Sequence, residues 1–192
     1  MIDRGYLGNP LLKGAGVPIS FTPDQVSEWL NCADDPIYFI ENYVKIVTLD
    51  DGLKLMTLYE FQKDIIRSLW LNRKTVGVCA RQMGKTTCVA AFFAWYVIFH
   101  NYKTCAILAN KAATAREILS RVQRAYENLP KWMQHGVVEW NKGSLELENG
   151  SKILAASTSS SAIRGFSVDT LFLDEFAFVP NNIAEEFFAS VY

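Results

Sequence analysis

The sequence predicts an α/β fold with a central, mostly parallel sheet flanked by helices and a short antiparallel meander. Between residues 75 and 129, apolar runs of strand length alternate with helical patterns, and this order favours parallel strands joined by crossover helices. The continuous apolar run at 171–173 is typical of a central parallel strand. With 192 residues, half of them hydrophobic, the chain is long enough for one such domain with a packed core.

The N-terminal part of the chain is predicted to form small elements outside the sheet. Residues 1–21 are rich in glycine and proline and are expected to form a flexible, loosely ordered arm. Residues 22–25, TPDQ, combine a capping box with proline at the first helical position, so a helix should begin there. A second short helix is expected at 37–44 and a hairpin at 45–56. We therefore predict a lid subdomain of helices and a hairpin over residues 22–57.

The remaining chain, residues 58–192, is predicted to be the core that contains the sheet. A capping-box pattern from Thr57 to Glu60 should open its first helix. Strands are predicted at 75–79, 104–108 and 168–173, helices at 88–97 and 112–129, and an antiparallel meander at 137–140, 144–147 and 151–155.

Bulk composition excludes several classes of protein. The net charge of −1 excludes the basic excess that many nucleic-acid binders carry over a whole domain, so any contact with DNA must come from a local patch. The four cysteines lack the paired spacing of a metal site, which favours free, buried thiols in a reducing cytosol. The longest apolar run, 89–99, is too short to span a bilayer, and the N-terminus lacks the pattern of a secretion signal.

The stretch 79–87, CARQMGKTT, has the pattern of a phosphate-binding loop between a strand and a helix, although Cys79 occupies the usual first glycine position. In such a loop, successive backbone N–H groups and the positive end of the helix face one polyphosphate. Lys85 would reach the outer phosphates, and the Thr86 hydroxyl would complete the shell of a magnesium ion. A lysine at an ordinary helix start is the alternative that the motif alone leaves open. The residues predicted to bind nucleotide here are Arg81, Gln82, Met83, Gly84, Lys85, Thr86 and Thr87.

Two acidic residues follow the strand predicted at 168–173. Asp174 and Glu175 require solvent, a partner or a cation there, since an isolated charge at the end of a buried strand is costly. Ligands of open parallel sheets bind at the carboxyl ends of the strands, where the loop also lies, so we expect the two features to meet. Asp174 is predicted to hold magnesium through water, and Glu175 to orient or deprotonate the attacking water. Two surface carboxylates that cap the next turn are the structural alternative.

Three further positions are candidates for nucleotide contacts. Gln62 can donate and accept hydrogen bonds at the adenine edge while Tyr59 stacks on the base, although glutamine is also common on exposed helix faces. Arg81 lies inside the turn, where its guanidinium can reach the γ-phosphate and offset charge as the bond breaks. Arg164 lies in a glycine-containing loop ten residues before Asp174 and can act on the same nucleotide or on a neighbouring subunit's nucleotide. A solvated loop arginine is the alternative for Arg164.

A basic series accompanies the helix predicted at 112–129. Its members are Lys111, Arg116, Arg121 and Arg124. Such a series is consistent with a face that contacts DNA, and equally with the solvated side of an amphipathic helix.

With these elements placed, the chain resembles the N-terminal ATPase region of the large terminase subunit of tailed bacteriophages, the motors that package DNA into procapsids. The resemblance extends from about residue 35 to the end. The stretches that carry it are 35–40, 59–62, 80–87, 138–147, 164–165 and 171–180.

This resemblance implies an ASCE-type P-loop fold related to RecA-like and helicase motors, with ATP and Mg²⁺ as ligands. It further implies that adenine is read near Gln62 and that Arg81 assists hydrolysis. In some members of the family the arginine that corresponds to Arg164 assists hydrolysis in a neighbouring subunit. The family's hydrolysis-coupling segment and its C-terminal nuclease are not in the chain, so no nuclease residues are expected here.

The resemblance also implies partners and a location. Hydrolysis would be coupled to translocation of double-stranded DNA by a homo-oligomeric ring on the portal protein, with a small terminase subunit recognising the genome. The expected site of action is the host cytoplasm at the portal vertex of the procapsid, with no membrane contact and no stable place in the virion. A helicase or DNA-remodelling ATPase is the alternative, followed by a non-enzymatic module with a degenerate loop.

Overall fold

A five-stranded sheet organises the computed structural model, which describes residues 5–48, 50–158 and 167–191. The strands are β1 (Lys45–Thr48), β2 (Gly52–Leu55), β3 (Thr104–Ala109), β4 (Val137–Trp140), β5 (Ser144–Leu147), β6 (Lys152–Ser157) and β7 (Thr170–Asp174). The helices are α1 (Pro23–Asp34), α2 (Pro36–Tyr43), α3 (Glu60–Leu71), α4 (Lys85–Phe99), α5 (Ala112–Glu127) and α6 (Asn181–Val191). The sheet order is β4-β5-β6-β3-β7, and β1 and β2 form a separate hairpin, as predicted.

The sheet is mixed, so the prediction of a mostly parallel sheet was wrong. Strand β3 pairs in parallel with β6 on one side and with β7 on the other, whereas β5 is antiparallel to both β4 and β6. Every residue of β3 is buried, as a strand with two neighbours requires. The predicted meander is therefore continuous with the sheet, because its last strand, β6, also pairs with β3.

The strand predicted at 75–79 does not form. These residues have no regular secondary structure, and the side chains of Val76 and Val78 are 92% and 95% exposed. A strand is stabilised by a hydrogen-bonded neighbour, and β7, the outer strand on that side of the described sheet, pairs only with β3. The apolar run therefore predicted a strand, but residues 75–79 do not pair with the open side of β7 in the described sheet.

Helix α4 forms the centre of the core. Its sequence is apolar on all sides, and most of it is buried, including the large rings of Phe93 and Trp95. Helices α2, α3 and α5 contact it, and α5 also packs against β3 and β6. The core thus fixes the start of α4 relative to the ends of the central strands.

The helix starts near the N-terminus follow their predicted capping chemistry in two cases out of three. The Thr22 hydroxyl accepts from the Gln25 N–H at 3.2 Å while Gln25 Oε1 accepts from the Thr22 N–H at 3.0 Å. Asp35 Oδ1 accepts from the Ile37 N–H at 2.7 Å and caps α2. Helix α3, however, begins at Glu60 and not near Thr57, because Gln62 Oε1 accepts from the Tyr59 N–H and makes Tyr59 the cap.

Residues 5–16 of the N-terminal arm contact the body of the protein. The side chain of Leu12 is 1% exposed, and Gly14 pairs with Val137 at the start of β4. Glu148 holds the arm by accepting from Lys13 Nζ at 2.9 Å and from the Gly16 N–H at 2.9 Å. These contacts place residues 12–16 along the body of the protein, and the flexibility expected for residues 1–21 stays a prediction.

Replacing Glu148 by glutamine is expected to lower the free energy of unfolding by about 1–3 kcal/mol, since several hydrogen bonds end on this carboxylate. Burial raises the pKa of Glu148, but hydrogen bonds from the Gly136 and Gly16 N–H groups and from Lys13 outweigh it and lower the pKa. A lowered pKa stabilises the fold fully above the unfolded-state value of about 4.3, and this stabilisation is lost as the pH falls through the folded-state value.

Urea unfolding of the wild-type chain and the Glu148→Gln variant at pH 7 and pH 3 measures this contribution. The two chains should differ at pH 7 and converge at acid pH, while Asp34→Asn, an exposed carboxylate at the end of α1, should change stability by less than about 0.5 kcal/mol. A difference that is independent of pH would show that the charge of Glu148 does not hold the arm.

Candidate functional site

The loop before α4 presents the start of that helix without a side-chain cap. Gly84 is the N-cap with φ +76°, and in the described part of the chain no side-chain cap bonds to the first turn, which begins at Lys85. Gln82 has φ +63°, a left-handed conformation that is uncommon for a residue with a side chain. The uncapped N–H groups and the helix dipole make this turn suitable for binding an anion.

Lys85 and Asp174 meet at the carboxyl end of the central strands. The register pairs Ala109 with both Ser157 and Asp174, so β3, β6 and β7 end in one row. Lys85 Nζ lies 3.3 Å from Asp174 Oδ1, and the Asp174 side chain is only 6% exposed. This ion pair lacks hydrogen-bond geometry, so Oδ1 is a buried acceptor without a hydrogen-bond partner among the described residues. A buried carboxylate oxygen in this state is suited to a cation or an ordered water.

Glu175 and Arg81 line a cleft beside this pair. Glu175 is exposed and has φ +51°, which places its side chain off the line of β7 in a strained conformation. Arg81 is also exposed, as its position inside the loop predicts. The cleft has a volume of about 260 Å³, and its other lining residues are Ala109, Asn110, Lys111, Thr114 and Phe178. Its position agrees with the predicted meeting of the loop and the acidic pair.

Gln62 is joined to the loop by its side-chain amide. Gln62 Nε2 donates to the Met83 carbonyl at 3.1 Å, and Oε1 accepts from the Tyr59 N–H at 3.2 Å. A Cβ at position 84 would lie 2.6 Å from Nε2, so a larger residue there would displace the Gln62 amide. The Tyr59 ring is 70% exposed and stacks on Phe61 with a centroid distance of 5.8 Å. The ring is therefore available to a base, while the amide of Gln62 already supports the loop.

Arg121 on α5 points to the first turn of α4, a contact that the sequence analysis missed. Its Nη1 donates to Thr87 Oγ1 at 3.0 Å, and its Nε lies 3.5 Å from Glu117 Oε1. The basic series had been assigned to a surface that faces DNA or solvent. The helical spacing does contain a signal that Arg121 borders the buried face of α5, since Ile118, Val122 and Ala125 around it are all buried.

The predicted site residues thus come together in part. Arg81, Lys85, Asp174 and Glu175 share the carboxyl edge of the sheet, Thr86 and Thr87 lie on the first turn of α4, and Gln62 contacts the loop. Arg164 lies outside the described residues. Within the described residues, no group of three or more histidine, cysteine, aspartate or glutamate side chains is placed to hold a metal ion.

The cysteines contribute no second site. Cys32, Cys88 and Cys105 are buried free thiols, as predicted, whereas Cys79 in the loop is exposed. Burial raises the pKa of the Cys88 thiol to about 11, which keeps it protonated and unreactive near neutral pH. In the part of the chain that the structure describes, no helix has both the length and the apolar character needed to cross a bilayer.

Two comparisons identify known proteins to which the chain is similar. A family profile described as terminase large subunit, T4-like virus type, N-terminal, matches residues 76–190. The chain is also similar to the crystal structure of the HK97 bacteriophage large terminase, with a TM-score of 0.65 and 20% sequence identity. That match covers 82% of this chain and 34% of the other, so the chain spans about a third of the HK97 protein's length. At this identity the similarity supports the fold.

Proposed function

The chain belongs to the terminase large-subunit family, and from this premise we propose that it is the ATPase part of a phage DNA-packaging motor. It binds ATP with Mg²⁺ through a P-loop of the ASCE type, and hydrolysis drives double-stranded DNA into the procapsid. The observation that carries this proposal is the approach of Lys85 Nζ to the buried Asp174 Oδ1, 3.3 Å apart, at the uncapped start of α4.

The first turn of α4 supplies the phosphate site. Its free N–H groups and the positive end of the helix attract a polyphosphate, and Gly84 lets the backbone approach it closely. Lys85 is half-buried beside this turn, so its ammonium adds a full charge where the outer phosphates would lie. Without nucleotide, the same ammonium neutralises Asp174.

The residues present fit a magnesium ion that is bound together with nucleotide. Asp174 Oδ1 is a buried oxygen with unused acceptor capacity, and Thr86 supplies a hydroxyl on the neighbouring helix turn. Two such groups are fewer than a closed protein site uses, but Mg²⁺ commonly keeps waters and phosphate oxygens as its other ligands. When bound, the ion would neutralise charge on the phosphates.

Three side chains are proposed to act on the bond that breaks. Glu175 lies next to Asp174 and faces the same cleft as Arg81, so it can orient a water and take its proton. Arg81 offsets negative charge that develops on the transferred phosphate. Arg164 is proposed to do the same, on its own nucleotide or on that of a neighbouring subunit.

Tyr59 and Gln62 are proposed to hold the adenine. Tyr59 offers an exposed ring at the start of α3, beside Gln62, whose amide touches the loop. The amide has a second lone pair and a second N–H beyond the two hydrogen bonds described, and these remain for the base. Base recognition and loop conformation would then depend on the same side chain.

The proposed partners follow from the family. A role in DNA packaging requires double-stranded DNA, a portal and a small terminase subunit, and we propose that the chain acts in a homo-oligomeric ring at the portal vertex in the host cytoplasm. Its net charge of −1 means that DNA contact must rest on a local basic surface.

Equilibrium binding of ATP and AMP to the 192-residue chain tests the nucleotide site. Since most of the proposed contacts are made to phosphate, ATP with Mg²⁺ should bind at least about tenfold more tightly than AMP, and chelation of Mg²⁺ should weaken only ATP. Equal affinity for ATP and AMP, or no binding of either at millimolar concentration, would refute the proposed site.

A further inference from the structure

We propose that Arg121 is a positioning residue of the nucleotide site, which sets the Thr87 hydroxyl to donate a hydrogen bond to a phosphate oxygen. This inference rests on the proposed function. Its basis is the hydrogen bond from Arg121 Nη1 to Thr87 Oγ1, 3.0 Å long, which joins α5 to the first turn of α4. The bond spans 34 residues of sequence, so it is a tertiary contact that only the packing of the two helices creates.

The direction of this hydrogen bond determines what the hydroxyl can do. A guanidinium has only donors, so Thr87 Oγ1 must act as the acceptor. A hydroxyl has one hydrogen, and when its oxygen accepts from Arg121 that hydrogen is left to donate elsewhere. A nearby phosphate oxygen would accept it, and the hydrogen bond would be strengthened because the acceptor is charged.

The position of Thr87 fits such a contact. Gly84 is the N-cap of α4, so Thr87 is the third residue of the first turn, two residues after Lys85. A threonine in a helix can otherwise bond its hydroxyl to a carbonyl of the preceding turn. The contact with Arg121 uses only the acceptor capacity of the hydroxyl, so a carbonyl of the preceding turn and a phosphate oxygen are alternative acceptors for its hydrogen. The contact also keeps the hydroxyl on the side of the helix that faces α5.

Arg121 is itself held in place by its own helix. Glu117 lies one turn earlier on α5, with Oε1 3.5 Å from Arg121 Nε. The Arg121 side chain is 40% exposed, so solvent screens its charge and most of its value lies in the directed hydrogen bond. Arg124 is exposed on the same helix and carries the same charge, which makes it the matched control.

A double-mutant cycle of Arg121→Ala and Thr87→Val tests the proposal through the affinity for ATP and for adenosine, which carries no phosphate. Thr87→Val removes the hydroxyl and keeps the branched shape of the side chain. Each single variant should weaken ATP binding about fivefold to tenfold. The double variant should bind ATP no more weakly than either single variant, since both substitutions remove the same Arg121–Thr87–phosphate contact. Arg121→Lys, which keeps a donor, should recover part of the affinity, and Arg124→Ala should bind ATP like the wild type.

The readouts separate a positioning role from general damage. The affinity for adenosine should stay within twofold of the wild type, and the free energy of unfolding should fall by no more than about 1.5 kcal/mol, the usual value of one hydrogen bond. In the full-length enzyme, KM for ATP should rise more than kcat falls. Additive losses in the double variant, an equal loss for adenosine, or the same loss in Arg124→Ala would overturn the proposal while leaving the ATP site intact. Wild-type chain that fails to bind ATP would overturn the proposed function and this inference together.

Discussion

Replacing Lys85 by alanine is expected to reduce ATP turnover of the full-length protein at least about a hundredfold, because one charged donor to the reacting phosphates is lost. The ammonium also neutralises the buried Asp174 at 3.3 Å, so its removal leaves a carboxylate that is 6% exposed without a cation. Phosphate release measures turnover, and equilibrium binding to the 192-residue chain measures ATP affinity, which should fall in parallel.

Lys142→Ala provides the matched control for this variant. Lys142 is exposed in the turn between β4 and β5, so its loss removes the same charge from the protein without touching the loop. Both variants should keep the wild-type circular dichroism spectrum. Wild-type turnover in Lys85→Ala would remove the basis of the proposed site, since every other assignment depends on phosphates at the start of α4.

Replacing Glu175 by glutamine is expected to lower turnover by about 10²–10⁴-fold while ATP affinity changes little, because the variant loses a base but keeps the shape of the side chain. Glu175 is exposed and lines the cleft with Arg81, so the substitution buries no new polar group. Single-turnover hydrolysis and equilibrium binding separate the two quantities. The complex with ATP should therefore accumulate in this variant.

Glu186→Gln, an exposed glutamate on α6, serves as the control and should hydrolyse ATP at the wild-type rate. The left-handed conformation of Glu175, φ +51°, gives the experiment a second possible result. If Glu175→Gln binds ATP more weakly than the wild type, the residue serves the shape of the turn after β7 and does not act on water.

The sequence predicted most of the local elements but not the pairing of the strands. Residues 22–25 determine the start of α1 through their own side chains, and the boundaries of β3 and α5 agree with their apolar patterns. The parallel pairing of β6 with β3 depends on a register between residues about 48 positions apart, such as Thr104 and Lys152, which no local pattern encodes. The prediction of a strand at 75–79 was wrong for the same reason, because an apolar run does not specify the strand with which it would pair.

The sequence predicts those parts of the site in which a recognisable motif lies at the carboxyl edge of the sheet. Lys85 and Asp174 meet because a helix start and a strand end both lie at the carboxyl edge of parallel strands, which is a general property of such sheets. The hydrogen bond from Arg121 to Thr87 depends on the rotation of α5 about its own axis relative to α4. A helical pattern determines the edge of the buried face only to within one residue, so it does not show that Arg121 faces α4.

The exposed valines at 76 and 78 have a consequence for how the chain behaves in concentrated solution. β-Branched side chains in a segment without regular structure favour association of one copy with another, because the outer strand β7 pairs only with β3 among the described strands. Arg73 and Lys74 precede this segment and Arg81 follows it, so like charges from two copies would repel each other on close approach. At an ionic strength of about 0.1–0.15 M this repulsion acts over about 8–10 Å, and added salt shortens that range. The solubility of the chain should therefore decrease as ionic strength rises.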